Sequence, residues 1–109
     1  MDFKPGQKWV SNAEPELGMG KVTRLEDRLV SIFFNLTGEE RTYSRTQAPL
    51  TRVRFNAGDE ISTQDNLRNK VTSVVEREGL YVYQGNLNGT NTPVIETELD
   101  PNDRFTKSE

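Results

Sequence analysis

The stretch Phe3-Lys4-Pro5-Gly6-Gln7-Lys8-Trp9 returns, 52 residues later, as Phe55-Asn56-Ala57-Gly58-Asp59-Glu60-Ile61, with Phe, Gly and a large apolar residue in register. Lys21-Val22-Thr23 recurs as Lys70-Val71-Thr72 at an offset of 49, and Arg54-Phe55 as Arg104-Phe105 at an offset of 50. Three similar offsets in one short chain describe a duplication, so the 109 residues divide into two copies of a unit of about 50 residues. A unit of that size buries little of its own surface. The two copies are therefore expected to pack rigidly against each other, as domains spanning residues 1–54 and 55–109.

The unit reads as β-structure. Leu, Ile, Val and Phe number 26 of 109, enough to fold but with a thin core. Helical periodicity is scarce, while short alternating runs are punctuated by turn residues. The first half carries expected strands at Lys8 to Ser11, Gly20 to Leu25, Leu29 to Phe34, Arg41 to Ser44 and Leu50 to Phe55. In the second half they fall at Glu60 to Thr63, Asn69 to Glu76, Leu80 to Leu87 and Val94 to Leu99, with a last one beginning at Arg104-Phe105. Gly79 serves a tight turn between two of them. Asn88 to Pro93 reads as a loop. Five short antiparallel strands joined by tight turns make a small SH3-like barrel, which limits exposed sheet edges. The fold class is all-β, expected as two tandem SH3-like barrels, with open sheets or a single larger sandwich as the alternatives.

The chain has no Cys and no His, which removes thiol nucleophiles, disulfides, zinc centres and imidazole acid–base chemistry. The start has no charged-then-apolar signal pattern, and no long apolar run suggests a membrane span. Gly18-Met19-Gly20-Lys21-Val22 resembles a phosphate loop loosely, but Val22 stands where that loop needs a hydroxyl, so the glycines read as a sharp turn into a strand. The pairs Glu39-Glu40, Asp59-Glu60 and Glu96/Glu98 read as solvated surface, since a catalytic pair needs one acid in an apolar pocket. Asp100-Pro101-Asn102-Asp103 lacks the other ligands of a calcium loop and reads as a turn. No catalytic, cofactor or metal residue is assigned.

Charge is uneven. Residues 1–54 are net +2, residues 55–109 net −5. Arg41, Arg45, Arg52 and Arg54 fall in a stretch without an acid. That cluster fits a solvated face balancing the acidic half, and it equally fits a partner-binding patch. Phe33 and Phe34 are adjacent and must point to opposite sheet faces, so one leaves its barrel. Tyr81 and Tyr83 alternate with Leu80 and Val82 in the same way. Phe33 and Tyr81 are the aromatic anchors proposed to accompany the four arginines.

The segments PGQKWVSNAEPELGMGKV (residues 5–22) and TGEERTYSRTQAPLTRVRFNAGDEI (residues 37–61) resemble the N-terminal region of the RapA (HepA) family of bacterial RNA polymerase-associated proteins. The likeness is dense over residues 5–61 and looser beyond. It implies two Tudor-like barrels at the start of a Swi2/Snf2-type ATPase that promotes polymerase recycling. The implied partners are core RNA polymerase and the ATPase domains of the parent chain, with a cytoplasmic location. ATP belongs to that parent. These residues hold neither a Walker A lysine motif nor a DEAH-like box, and read as an excised, non-enzymatic fragment without a cofactor. Nucleic acid is the alternative partner, gripped through its phosphates by the first barrel.

Overall fold

A computed structural model describes residues 3–65, 67–87 and 90–100. Among them lie nine strands: β1 (Lys8–Ser11), β2 (Met19–Leu25), β3 (Leu29–Phe34), β4 (Glu39–Ser44), β5 (Leu50–Arg52), β6 (Glu60–Ser62), β7 (Arg68–Arg77), β8 (Leu80–Leu87) and β9 (Thr90–Ile95). They form two curled antiparallel sheets, ordered β4-β3-β2-β1-β5 and β6-β7-β8-β9. The chain is all-β, with two tandem Tudor-like barrels and no α-helix among the described residues.

The duplication is visible at the level of single hydrogen bonds. Gly6 N–H donates to Val22 O and Val22 N–H to Gln7 O. Gly58 N–H donates to Val71 O and Val71 N–H to Asp59 O, all four at 2.8–2.9 Å. Gly6 and Gly58 sit at φ +93° and +98°, a conformation that penalises any side chain. Each long hairpin then slips register at the same place, between Val22 and Arg24 and between Val71 and Ser73. The residues at the slip, Thr23 and Thr72, both turn their hydroxyls onto the neighbouring strand, at Ser31 O and Gln84 O. Such a bulge sharpens strand twist and so helps each small sheet curl.

Two apolar clusters follow. Phe3, Trp9, Leu17, Val22, Val30, Ile32, Phe34, Ala48 and Leu50 fill the first. The second holds Phe55, Ile61, Val71, Tyr83, Val94 and Leu99, together with Met19 and Val53 from the first half of the chain. Met19 and Val53 thus carry the first half of the chain into the core of the second barrel. Of the adjacent pair, Phe34 is fully buried and Phe33 half-exposed on the outer face, as alternation requires.

Two expected strands miss an end by three residues or more. β5 stops at Arg52, although Val53 N–H still donates to Lys8 O. In the second half, β9 already runs from Thr90 and includes Pro93, and Glu96–Glu98 forms a 3-10 turn in place of strand. Proline is tolerated because β9 is an edge strand, where a missing N–H costs no ladder bond. The counterpart of β5 is reduced to one bridge, Thr63 with Leu99, in the place of Ser11 with Leu50. Asn88-Gly89, Pro101 to Asp103 and the expected strand at Arg104-Phe105 lie outside the described residues.

Candidate docking surface at the seam between the barrels

The β7–β8 hairpin closes through Glu78-Gly79, with Arg77 opposite Leu80. Both turn residues have positive φ (53° and 85°), the mirror-image turn that matches strand twist. That tip rests on the first barrel: Gly79 O accepts from Gln7 Nε2 at 2.8 Å and from Arg52 Nη2 at 3.1 Å. Gln7 in turn holds the Trp9 indole N–H through its Oε1 at 3.0 Å.

Beside the tip lies Glu96, which is 0% exposed. Its Oε2 accepts from Lys8 N–H of β1 at 3.0 Å, and its Oε1 from Tyr81 N–H of β8 at 2.8 Å. Oε1 also pairs with the Arg52 guanidinium. One carboxylate thereby joins β1 and β5 of the first barrel to β8 of the second. A buried acid is tolerable when its lone pairs are filled in this way. The expectation that Glu96 is solvated surface is therefore wrong for Glu96, while Glu98 is exposed. A signal for it was present. Val94 and Glu96 alternate inward while Ile95 points out at 40% exposure, so period-two reading puts a charge on the inner face.

The six singled-out residues do not form one patch. Arg52, Arg54 and Tyr81 come together: the Arg52 guanidinium lies 4.3 Å from the Tyr81 ring centre and that of Arg54 5.6 Å. Arg52 is engaged internally, however, with its side chain 16% exposed and committed to Glu96 and Gly79. Arg54 is exposed and, among the described residues, donates to Asn56 Oδ1 at 2.8 Å. Arg41 is paired with Glu14 (3.3 Å) and Glu39 (2.9 Å), acids lying outside its own acid-free stretch. Arg45 is tied to the β2–β3 turn through Glu26 O at 3.0 Å. Phe33 lines a separate cleft with Lys8, Met19, Lys21, Thr23, Asn35 and Gln64.

Two buried ionisable groups flank the seam. Burial, and then the neighbouring charge of Lys21, hold the Lys8 ammonium below the usual lysine range. Burial pushes the Tyr83 phenol up to about 12, and its oxygen accepts from Phe55 N–H at 3.2 Å. Accessible along the seam is a cation, Arg54, against a half-exposed tyrosine. Such a pairing suits an acidic or aromatic surface better than a reaction. Residues 3–53 match the family model described as RapA N-terminal Tudor-like domain 1, and residues 55–109 match that of the RapA N-terminal Tudor-like domain.

Proposed function

The chain belongs to the family of RapA N-terminal Tudor-like domains, and from that premise we propose that it is the interaction module of a Swi2/Snf2-type ATPase, docking on core RNA polymerase and against the motor of its own chain. Tudor-like domains are small and non-catalytic. ATP hydrolysis, polymerase recycling and a cytoplasmic location are assigned to the parent. The observation that carries this reading is the Glu96 hub. A module that transmits docking to a motor must move as one body, and a buried carboxylate bonded to both barrels makes it one. The shared surface beside the hub, Arg54 over Tyr81, is then the place where a partner can touch both barrels at once.

The test is binding of the chain to immobilised core RNA polymerase. Arg54→Glu and Tyr81→Ala are expected to weaken it about tenfold or more each, in the range of interface hot spots, with circular dichroism unchanged. Full affinity in both variants would remove this surface from the reading. Gripping of nucleic acid predicts instead a steep loss of duplex binding with salt, and a salt titration with duplex DNA separates the two.

A further inference from the structure

Lys8, Lys21 and Phe33 stand side by side on the outer face of the first sheet, because the register sets Lys8 opposite Lys21 and Lys21 opposite Phe33. Like charges directly opposite on neighbouring strands repel. Lys8 is moreover only 3% exposed. Neither ammonium has an ion pair or hydrogen bond among the described residues. The charges of Glu96 and Asp100 both reach Lys8 and are outweighed by its burial and by Lys21; Glu96 already has both oxygens occupied by Lys8 N–H, Tyr81 N–H and Arg52. Folding thus places two cations together, one of them desolvated, with no ion pair to either among the described residues, an arrangement that costs stability unless something compensates it.

The two lysines line a cleft of about 270 Å³, with Phe33, Thr23 and Asn35 of the first barrel and Gln64 of the second around them. We propose that this cleft is an oxyanion site that receives one Asp or Glu side chain of a protein partner, with Lys8 and Lys21 as its cationic wall and Phe33 as its apolar flank. The volume equals roughly nine waters at about 30 Å³ each, room for one side chain and its residual hydration. The second half of the chain, net −5, repels an extended polyanion yet hardly affects a single carboxylate. That the carrier is a protein rests on the docking reading above; that the cleft binds an anion does not.

The experiment follows the lysine ammonium signals of the chain by NMR during titration with N-acetylglutamate N-methylamide, with inorganic phosphate and a short oligothymidylate in parallel. Lys8 and Lys21 are expected to shift together and saturably, and the Lys8 ammonium pKa to rise on binding. Lys21→Gln should weaken binding about tenfold or more, the scale of a lost charge-assisted hydrogen bond. Lys21→Arg should keep it, and so should Lys70→Gln, which removes the exposed repeat counterpart of Lys21. Absence of a saturable shift at Lys8, or equal weakening by Lys70→Gln, overturns the site. Tighter binding of the oligothymidylate than of the glutamate derivative overturns the carboxylate in favour of phosphate. A chain that takes up the carboxylate but ignores polymerase retains this site and loses the docking reading; the converse result does the opposite.

Discussion

Glu96→Gln is the substitution that most directly interrogates the seam. Size is conserved, so packing is not the variable. The carboxylate accepts three bonds, from Lys8 N–H, Tyr81 N–H and Arg52. A carboxamide has one acceptor oxygen, so one of the two amide N–H groups must face an NH2. An orphaned buried donor costs about 1–3 kcal/mol. Arg52 also loses its counter-charge; at 16% exposure it is partly hydrated and keeps Gly79 O, so we assign it about 1–2 kcal/mol, below the full cost of a stranded buried ion. The sum is about 3 kcal/mol, or about 150-fold in the folding equilibrium, against a typical domain stability of about 5–15 kcal/mol. Because the lost bonds join the barrels, their unfolding should also separate. Urea titrations followed by Trp9 fluorescence, which reports the first barrel, and, in a Tyr43→Phe background, by the tyrosine near-ultraviolet dichroism from Tyr81 and Tyr83 should coincide with Glu96 intact and diverge in the variant. Replacing both partners, Arg52→Met with Glu96→Met, removes the stranded charge but still orphans Lys8 N–H and Tyr81 N–H, and should recover part of the loss seen with Glu96→Met alone. A cost under about 1 kcal/mol for Glu96→Gln, with coincident transitions, would refute the hub.

Tyr83 binds its proton more tightly when folded, its pKa rising from the usual 10 to about 12 by burial. Its contribution is therefore complete below pH 10 and is lost as pH rises to about 12, a fall of roughly 2–3 kcal/mol that thermal melts across that window should show and Tyr83→Phe should flatten. Parallel losses in both proteins would contradict this. Lys8→Met keeps the backbone bond to Glu96 and removes an unpaired, desolvated ammonium, so it should raise stability by about 1 kcal/mol while abolishing carboxylate uptake. A destabilised variant would show that the ammonium is compensated in the folded chain. A Cβ at Gly20 would lie 2.5 Å from Ile32 Cγ2 and 2.7 Å from the Phe34 ring. Gly20→Ala should therefore cost about 2–3 kcal/mol by overpacking. Gly58 has open space around it, so Gly58→Ala should cost only the left-handed penalty of about 1–2 kcal/mol. The reverse order in urea unfolding would refute this assignment.

Much of the architecture was readable from short-range pattern. β1, β3 and β8 begin and end where alternation and turn residues put them. The 52- and 49-residue offsets reappear as matching hydrogen bonds at Gly6 and Gly58 and matching bulges at Thr23 and Thr72. Asn88 to Pro93 reads as a loop from its turn residues, yet Pro93 costs no ladder bond on an edge strand, so β9 begins at Thr90 and gives way to a turn at Glu96. The site was less legible. Arg41, Arg45, Arg52 and Arg54 look alike along the chain, yet two are tied to local acids or turns, one is sealed beneath the hairpin tip, and only Arg54 stays largely open.

The sequence by itself determined the duplicated β-unit, the glycine turns and the absence of thiol and imidazole chemistry, because these depend on the chain's own repeats, φ preferences and residue inventory. Only the tertiary structure decided which charges are buried and where two lysines meet without an ion pair. Glu96 meets Arg52 and Lys8 across 44 and 88 residues, and each strand face that reads as solvent-exposed in one barrel is covered, or not, by the other. Burial of that kind is a property of how two folded surfaces meet, and no local pattern encodes it.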